Sequence, residues 1–567
     1  MNATRDKGST VPSPHPSSPP TVPDYASFVE AFDLADVKAS FAGSFEHGIN
    51  ACVEACDRHV APGRIALRWE DKDGNVSQLG YEELQANAAR FANLLASRGV
   101  KPGDRVAGLL PRIPELLAVI LGTWRAGAVY QPLFTAFGPK AIEHRVTASE
   151  AVLIVTDTAN RHKLDDTATW PGIVTIARDV DERVPFGDID YLFEMAQQAP
   201  SFEPVMRGGD DACMMLFTSG TTGLAKGVAV PHRALMAIDM YMRLAVDLRD
   251  GESYWNIADP GWAYGLYFGA IGPLLSGNTT LFYDGPFSAE TAYRLIEKYN
   301  ITNLAGAPTA FRLMMAADPQ LAARIRGKLR VVSSAGEPLN PEVMRWFREA
   351  LDCPIGDHYG QTEIGMVVCN FHGLKHAVHP GSAGFALPGV RVAVLDDEGK
   401  ELASGIPGTL AIDRSRSPLY YFPGYWKQAA QSFVGDYYLT GDTVELNEDG
   451  SISFVGRGDD IITSAGYRIG PFDVESALME HPAVAEVAVI GKPDPERTEI
   501  VKAFVVLRAK VQASEALAGE LQQLVKRRLA AHAYPREIAF IAELPKTPSG
   551  KIQRFILRKQ EADQVAA

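Results

Sequence analysis

Residues 217–230 read FTSGTTGLAKGVAV and place a loop of glycine and hydroxyl residues between two apolar runs. The runs on either side, ACMML and VAV, are typical of buried strands. Glycine lets the backbone come close to a ligand, while hydroxyl groups, backbone N–H groups and a lysine can hold phosphate oxygens. A polar hairpin turn is the alternative, and a Walker A loop is excluded because its glycine spacing does not fit. The pattern predicts a phosphate-binding loop made of Thr218, Ser219, Gly220, Thr221, Thr222, Gly223 and Lys226.

Predicted strands and helices alternate on both sides of this loop. Before it, RVAGLL, AVYQPL and AVLIVTD are typical of buried strands, and PELLAVILGTWRAG is typical of an apolar helix. After it, TNLAGAP and LRVVSSAG continue the strands. This alternation indicates a largely parallel sheet with helices on both faces. Because ligands bind beyond the carboxyl ends of such strands, we expect the loops at Gly220, Gly336 and Gly360 to share one crevice.

The pattern changes twice towards the C-terminus. From Gly384 onward the chain contains short β runs, and after Gly456 it becomes a compact mixture of strands and helices. A chain of 567 residues is also too long for one core. We therefore predict an α/β protein with a large N-terminal domain (26–458) of layered β-sheets and helices, including a β-barrel-like subdomain. A small, mobile α+β domain (459–567) is expected to follow it. Residues 1–25 carry six prolines and no apolar core, which favours a disordered leader over a secretory signal.

The composition is that of a globular protein and argues against several classes of function. A net charge of −14 argues against a nucleic-acid surface. The five cysteines form no C-x-x-C pair, which favours a reducing compartment, and we expect a cytoplasmic protein. No apolar run is long enough to predict a transmembrane helix. The sequence leaves open whether the chain is a monomer or a homodimer.

Five further segments follow the loop along the chain. Together with it they resemble the motifs of the adenylate-forming superfamily, which includes acyl-CoA synthetases, firefly-type luciferases and peptide-synthetase adenylation domains. The likeness is greatest to medium-chain and acetyl-CoA-synthetase-like members. It implies ATP, Mg²⁺ and coenzyme A as cofactors, and a small carboxylic acid that is first adenylated and then transferred to the CoA thiol. The segments are SAGEPLNPE (334–342), DHYGQTE (357–363), YLTGD (438–442), GRGDDIITSAGYRIG (456–470) and PKTPSGKIQR (545–554).

The resemblance assigns catalysis to Lys551, with support from Thr218 and Glu363. Lys551 lies in a Pro/Thr/Ser/Gly loop where no packing role is evident. A positioned ammonium would stabilise the charge that builds up when a carboxylate attacks the α-phosphate. Without the other motifs, a lysine on a flexible surface loop would be the simpler interpretation. Glu363 is the expected Mg²⁺ ligand, because a carboxylate suits a cation that bridges phosphate oxygens. A helix-capping glutamate is the alternative.

The same resemblance divides the other residues between the nucleotide and coenzyme A. Asp442 is expected to accept both ribose hydroxyls, and Arg457 matches a second ribose contact. Asp459 matches the hinge about which the small domain rotates. The expected contacts to adenine and phosphate come from Gly336, Glu337, Pro338, Asp357, His358, Tyr359, Gly360, Gln361 and Thr362. Those to the outgoing phosphates and coenzyme A come from Arg468, Ala465, Gly466, Tyr467 and Arg497, the last of which could equally be a solvated loop arginine.

The expected size of the acyl pocket follows from Gly360. Acetyl-CoA synthetases carry a tryptophan here that closes the pocket, so its absence implies room for more than acetate. Trp262, Tyr264 and residues 265–268 are expected to line the rest, because glycines in this stretch break both helical and strand periodicity. We therefore expect a short-to-medium-chain or branched aliphatic acid.

Three other functions are compatible with parts of this pattern. An aryl-CoA ligase uses the same motifs and differs in its pocket. A stand-alone adenylation enzyme would pass its product to a carrier protein, but no carrier domain is evident after Arg558. A non-enzymatic binding protein is expected to lack Lys551 or Glu363, and both are present. The segment around Lys551 also resembles acetylated members of the superfamily, which predicts a lysine acetyltransferase and a deacetylase as partners.

Overall fold

The computed structural model describes the chain from residue 22 onward, with short gaps. The gaps contain most of the predicted phosphate loop, the expected hinge Asp459, and Ala465 and Gly466 of the expected CoA strip. The described residues are 22–165, 170–179, 181–218, 225–428, 432–458, 460–464, 467–494, 497–529, 533–547 and 551–566.

The strands lie where the apolar runs predict them, and RVAGLL, for example, forms β3. The strands are β1 (Ile65–Asp71), β2 (Val76–Gly80), β3 (Arg105–Leu109), β4 (Val129–Pro132), β5 (Ala151–Asp157), β6 (Gly172–Ile176), β7 (Ile189–Asp190), β8 (Ala212–Thr218), β9 (Lys226–Pro231), β10 (Tyr254–Asn256), β11 (Thr280–Asp284), β12 (Asn303–Gly306), β13 (Val331–Ala335), β14 (Ile355–Gln361), β15 (Gly365–Cys369), β16 (Ser382–Ala386), β17 (Val392–Leu395), β18 (Gly408–Asp413), β19 (Phe433–Val434), β20 (Tyr437–Leu446), β21 (Ile452–Arg457), β22 (Ile462–Ser464), β23 (Tyr467–Ile469), β24 (Val484–Asp494), β25 (Thr498–Leu507) and β26 (Glu537–Phe540).

The longer helices begin at the signals that the sequence carries. Ser288 caps α12 by accepting a hydrogen bond from Thr291 N, and proline occupies the first turn of α5, α13 and α15. The helices are α1 (Tyr25–Glu30), α2 (Leu34–Ala39), α3 (Ala51–Ala55), α4 (Tyr81–Ser97), α5 (Pro114–Arg125), α6 (Pro139–Ser149), α7 (Thr158–Arg161), α8 (Tyr191–Gln197), α9 (Ala234–Met240), α10 (Ala263–Gly265), α11 (Gly272–Leu275), α12 (Ala289–Lys298), α13 (Pro308–Ala316), α14 (Pro319–Ile325), α15 (Pro341–Leu351), α16 (Pro471–Met479), α17 (Glu515–Arg528) and α18 (Arg554–Ala566).

The predicted phosphate loop connects the last two strands of a seven-stranded sheet. The strand order is β7-β6-β5-β3-β4-β8-β9, and a three-stranded sheet, β11-β1-β2, lies apart from it. Neighbouring strands are parallel except for β8 and β9, which are antiparallel. Strands β3, β4 and β8 are almost entirely buried, as expected for a parallel sheet covered on both faces. The loop therefore leaves from the carboxyl end of a buried strand.

A second, larger sheet joins the α/β part of the chain to the β-rich part. Its path is β10-β12-β13-β14-β15-β16-β21-β20-β18-β17, with β19 on β20. The first four strands are parallel, and the pairs from β14 onward are antiparallel. Gln361 of β14 donates a hydrogen bond to Thr440 O of β20 at 2.9 Å, although three strands lie between them in the path. The sheet therefore curls, and the unit predicted as barrel-like is the curled continuation of this sheet.

The C-terminal part of the chain has its own sheet and its own core. The strand order is β23-β22-β25-β24, with β26 parallel to β25. A separate cluster of buried apolar side chains forms the core of this part, and it includes Ile462, Val489 and Leu521. This agrees with a separate C-terminal domain, as the sequence predicts. The domain boundary at residue 459 stays a prediction.

The aromatic stretch after β10 differs from the prediction. Residues 263–275 are helical throughout, because a π-helical segment, Leu266–Ile271, connects α10 to α11. A Cβ added to Gly265 would lie 2.2 Å from Asp259 O, and one added to Gly272 would lie 2.7 Å from the Met242 side chain. The glycines thus permit close packing of a buried helix, so reading them as helix breakers was wrong.

Two further observations concern the leader and the membrane. The predicted leader ends too late, because Tyr25 N donates to Lys375 O at 3.0 Å and Lys375 N donates to Pro23 O at 2.8 Å. Residues 23–25 therefore pack on the large domain. Within the described ranges, no helix is both long and apolar enough to cross a membrane.

Candidate active site

Most of the predicted site residues line one cleft. It has a volume of about 1050 Å³ and is walled by both the large domain and the C-terminal domain. Gly336 and Gly360 therefore share one crevice, as expected, whereas Gly220 lies outside the described residues. The predicted residues along its walls are Thr218, Lys226, Trp262, Gly336, Glu337, Pro338, Asp357, His358, Tyr359, Gly360, Gln361, Thr362, Glu363, Asp442, Arg457 and Lys551.

The two ends of the phosphate loop lie side by side. Thr218, the last residue of β8, pairs with Lys226, the first residue of β9. The predicted residues between them, Ser219, Gly220, Thr221, Thr222 and Gly223, lie outside the described residues. Lys226 Nζ lies 4.8 Å from the ring centroid of Tyr425, which is a cation–π contact.

Glu363 is a buried carboxylate whose orientation is fixed by one phenol. It is 7% exposed, and its Oε1 accepts a hydrogen bond from Tyr425 Oη at 2.8 Å. Burial raises the pKa of Glu363, and the bond from Tyr425 opposes this rise. Sequence reasoning missed Tyr425, because the segment PGYWKQ carries no spacing that points to a ligand.

Asp442 and Arg457 face each other on neighbouring strands, β20 and β21. Asp442 Oδ2 accepts hydrogen bonds from Tyr359 Oη at 2.5 Å and Gln361 Nε2 at 2.9 Å. Burial raises the pKa of Asp442, whereas Tyr359 and Arg457 lower it. The side-chain amide of Gln361 is itself held in place, because Tyr438 Oη donates to Gln361 Oε1 at 2.9 Å. Both recorded bonds fall on Oδ2, so the orientation of the Asp442 carboxylate is set before any ligand binds.

Asp357 and His358 are neighbours on β14 with different environments. Asp357 Oδ2 accepts a bond from Leu339 N at 3.1 Å, while its buried Oδ1 has no hydrogen-bond partner among the described residues. Burial raises the pKa of Asp357 to about 8. His358 Nδ1 bonds to Tyr241 Oη at 2.8 Å and its Nε2 bonds to Asn370 O at 3.0 Å. Both ring nitrogens are therefore engaged, and the predicted ligand contact is not available to the His358 ring.

The turn after β13 is held by an ion pair. Arg312 Nη2 donates to Glu337 Oε2 at 3.0 Å, and Thr309 Oγ1 donates to Glu337 Oε1 at 3.1 Å. Gly336 has a φ of +101°, which favours glycine. Glu337 is thus fixed in the cleft wall beside Pro338 by residues that the sequence did not single out.

The neighbouring backbone leaves no room for a side chain at Gly360. β14 bulges at Tyr359–Gly360 against β15, and a Cβ added to Gly360 would lie 2.1 Å from Gly365 O. A side chain at this position would meet the neighbouring strand. The absent tryptophan is therefore not by itself a measure of the acyl pocket, which corrects the argument made from the sequence.

The two aromatic residues predicted for the acyl pocket separate. Trp262 lines the cleft and packs against Phe134 and Phe137, with ring centroids 5.5 and 5.2 Å apart. Tyr264 is partly buried against the core and packs on Phe268 at 5.7 Å. It is absent from the lining of the described cleft. Trp262 therefore stays a pocket candidate, and Tyr264 supports the wall from behind.

Lys551 reaches this cleft on a hairpin of the C-terminal domain. Lys551 N donates to Thr547 Oγ1 at 3.0 Å, Thr547 N donates to Lys551 O at 2.7 Å, and Gln553 N donates to Pro545 O at 2.8 Å. The side chain remains accessible to water but is enclosed by the cleft walls. This enclosure lowers the pKa of Lys551. The carboxylates of Glu337, Asp442 and Glu363 oppose the lowering, whereas Arg457 adds to it.

Two of the residues predicted to contact coenzyme A, Tyr467 and Arg497, are not part of the described cleft wall. Tyr467 is 52% exposed and pairs with Ser464, which in turn pairs with Thr498, the neighbour of Arg497. Arg468 lies on β23, opposite Thr463. Asp459, Ala465 and Gly466 lie outside the described residues, so the expected hinge stays a prediction.

The donor groups of the cleft fit a nucleotide and a shared cation. Within the described ranges, no group of three or more His, Cys, Asp or Glu side chains could hold a metal alone. A cation at Glu363 would therefore share its coordination with ligand oxygens and water, as Mg²⁺ does on nucleoside triphosphates. Asp357 Oδ1 supplies a buried acceptor for a donor group such as the adenine amine.

Comparisons with known proteins give the same family along nearly the whole chain. A curated acetyl-coenzyme A synthetase of Bacillus subtilis is 37% identical over 548 residues, covering 95% of each chain. The mitochondrial acyl-coenzyme A synthetase ACSM3 of Mus musculus is 36% identical and covers 88% of this chain and 86% of its own. The crystal structure of Brucella canis acyl-CoA synthetase is 58% identical with a TM-score of 0.79, covering 96% of this chain and 99% of that one.

Two family models match the chain in the order in which its domains occur. The model of the AMP-binding enzyme matches residues 55–426, and that of the AMP-binding enzyme C-terminal domain matches residues 473–551. The first contains the predicted phosphate loop and Glu363, and the second ends at Lys551. The chain therefore belongs to the AMP-binding enzyme family.

Proposed function

We propose that this AMP-forming acyl-CoA synthetase activates a short-to-medium-chain or branched aliphatic carboxylic acid. In the first half-reaction, a carboxylate oxygen attacks the α-phosphorus of ATP, the bond to pyrophosphate breaks, and acyl-AMP forms. In the second, the CoA sulfur attacks the acyl carbon, the bond to AMP breaks, and the thiol proton passes to solvent. The placement of Lys551 in one cleft with Glu363 and Asp442 supports this reaction sequence, and the choice of acid is argued separately below.

Lys551 is proposed to stabilise the charge of the adenylation transition state. Negative charge builds on the α-phosphate oxygens and on the bridge to the attacking carboxylate, and an ammonium enclosed by protein interacts with it more strongly than one in water. The hairpin at Thr547 holds the Lys551 backbone, so the side chain reaches the cleft from a fixed base. Thr218 and Lys226 lie at the two ends of the loop that is proposed to hold the outer phosphates.

Nucleotide binding is proposed to use three carboxylates for different tasks. Asp357 would accept the adenine amine, Asp442 would accept the ribose hydroxyls beside Arg457, and Glu363 would hold Mg²⁺. When bound, the cation would neutralise phosphate charge and make pyrophosphate a better leaving group. The burial of these carboxylates supports the division, because a ligand would add donors or positive charge to those that the protein already supplies.

Thioester formation is proposed to need a rotation of the C-terminal domain about Asp459. In the described arrangement Lys551 occupies the cleft, whereas Tyr467 is exposed outside it. A rotation that withdraws Lys551 would free the space for the CoA thiol and could present the strip near Tyr467 and Arg497. Closure in either state would keep water from the reactive mixed anhydride.

The proposed class of acid rests on the names of the relatives and on the aromatic residues in the wall of the cleft. The names of the relatives above are acetyl-CoA and acyl-CoA synthetases. Trp262, with Phe134 and Phe137 behind it, supplies an apolar surface that would bury an alkyl chain. Pyrophosphate release measured across acetate, butyrate, isobutyrate, hexanoate, octanoate and benzoate tests the proposal. The highest kcat/KM on an aliphatic acid of four to eight carbons is expected, and a preference for benzoate would favour the aryl-CoA ligase.

Acetylation of Lys551 is proposed as a regulatory step. In the described arrangement the cleft encloses the side chain, so an acetyltransferase would act on the form in which the rotation has withdrawn Lys551. Acetylation removes the positive charge and should silence adenylation. Unchanged adenylation by fully Lys551-acetylated protein would contradict this.

A further inference from the structure

Tyr425 lies between the two charged residues that face the phosphate end of the cleft. Its ring centroid is 4.8 Å from Lys226 Nζ, and its Oη donates to Glu363 Oε1 at 2.8 Å. All three residues line the same cleft. One side chain thus contacts both the loop lysine and the carboxylate proposed for Mg²⁺.

The backbone of Tyr425 is attached to the strand that ends the phosphate loop. Trp426 N donates to Gly227 O at 2.8 Å, and Tyr425 forms an antiparallel bridge with Val228. Gly227 and Val228 directly follow Lys226 in β9. Because the backbone at Tyr425 and Trp426 pairs with this strand, a displacement of β9 next to Lys226 would carry the phenol with it.

The chemistry of a phenol suits the orientation of a metal-binding carboxylate. Its hydroxyl is neutral, so it fixes the torsion of Glu363 without the full charge that an arginine or lysine would bring into competition with a cation. The bond uses Oε1, so the second oxygen, Oε2, can point to a cation. Loss of a group that orients a metal ligand in this way typically lowers metal affinity about 10- to 100-fold.

We propose that Tyr425 is a positioning residue that couples the phosphate loop to Glu363. Its ring supports Lys226 at the base of the loop, and its hydroxyl turns Glu363 towards the Mg²⁺ of bound ATP. The inference rests on the proposed assignment of Mg²⁺ to Glu363. It adds a residue outside the motifs to the machinery that binds Mg²⁺·ATP.

The test measures metal-dependent nucleotide binding and does not depend on turnover. The melting temperature of the full-length protein is followed while Mg²⁺ is titrated at saturating ATP, and separately with ATP and EDTA. Tyr425→Phe keeps the ring beside Lys226 and removes the hydroxyl. The matched control is Tyr420→Phe, which alters the same aromatic cluster, where Tyr420 Oη has no hydrogen-bond partner among the described residues. Glu363→Gln is the reference for loss of the metal ligand.

The expected result is a selective loss of Mg²⁺ response. Tyr425→Phe should need about tenfold more Mg²⁺ for half of the melting-temperature rise, with an unchanged response to ATP in EDTA. Tyr420→Phe should titrate like the wild type. A wild-type titration by Tyr425→Phe would overturn the proposal, and so would an equal loss with and without Mg²⁺, which indicates a structural role. A wild-type titration by Glu363→Gln would overturn the metal assignment itself and, with it, the inference for Tyr425.

Discussion

Arg554 Nη2 donates to both carboxylate oxygens of Glu475, at 2.7 and 2.8 Å, three residues after Lys551. The carboxylate is 6% exposed and also accepts a bond from Val489 N at 2.8 Å. Arg554 is the first residue of α18, so this ion pair anchors the end of the hairpin that presents Lys551. A contact within the C-terminal domain thus anchors the backbone three residues from the proposed catalytic lysine.

Arg554→Lys should impair adenylation through the position of Lys551. Lysine keeps the charge but cannot form the bidentate pair of hydrogen bonds to Glu475. Small displacements of a catalytic group can lower the rate about 100-fold. Pyrophosphate exchange should therefore fall about 10- to 100-fold, while thioester formation from supplied acyl-AMP should fall much less. Arg528→Gln is the control, since Arg528 forms an exposed pair with Glu480 in the same domain. Equal losses in both half-reactions would show that Arg554 only stabilises the domain.

The rate of adenylation should decline with rising pH at a lower pH than a lysine of unperturbed pKa would give. Enclosure in the cleft lowers the pKa of Lys551, so the ammonium loses its proton as the pH rises through that lowered value. The kcat/KM of pyrophosphate release against pH reports this group in the free enzyme. Lys551→Arg should be slower yet lose the alkaline decline, because guanidinium stays protonated. An unchanged alkaline limb in Lys551→Arg would assign the titration to another group.

Asp442→Ala should weaken ATP binding through the ribose. Hydrogen bonds to a charged group contribute about 1.5–3 kcal/mol, so the Kd of ATP should rise about 10- to 100-fold. The wild type should bind 2′-deoxy-ATP and 3′-deoxy-ATP more weakly than ATP, and the variant should discriminate little between the three. The ratio of Kd values from calorimetry checks this. Full discrimination by Asp442→Ala would place the ribose elsewhere.

Gly360→Ala should destabilise the protein whatever the acid. The added Cβ would meet Gly365 O, and relief of such a clash by a backbone shift costs about 1–3 kcal/mol. Gly519→Ala is the control, because Gly519 lies within α17 with nothing in reach of an added Cβ, and alanine there should stabilise the helix by up to about 1 kcal/mol. Denaturant unfolding measures both. A Gly360→Ala variant of wild-type stability would restore the interpretation in which this glycine only enlarges the acyl pocket.

The sequence predicted the elements of this fold where one physical signal dominates. Apolar runs such as RVAGLL became strands, and the Asp-Gly pair at 73–74, which is typical of a tight turn, lies between the antiparallel strands β1 and β2. Both signals act over a few residues. The glycine-rich stretch 263–275 was misread, because glycine that permits close packing looks the same in sequence as glycine that ends a helix. The glycine at 360 is explained by its close approach to the opposing strand, and the local sequence does not show which strand lies there.

The site was predictable where it lies in motifs and not where it depends on distant contacts. Glu363, Asp442 and Lys551 were identified through the resemblance and share one cleft. Tyr425 lies outside the motifs, and Arg554 ends the segment 545–554 but was given no role. Their partners lie 62 and 79 positions away, and nothing in the local sequence indicates either pairing. Such supporting residues emerge only when the fold brings the strands and hairpins together.

The central claim is that Lys551 acts in adenylation and leaves the cleft before thioester formation. The most direct measurement compares both half-reactions in Lys551→Ala: pyrophosphate release from acid and ATP, and acyl-CoA formation from supplied acyl-AMP and CoA. We predict that adenylation falls by at least about 100-fold while thioester formation stays within severalfold of the wild type. Equal loss of both half-reactions, or adenylation that survives in Lys551→Ala, would contradict the account.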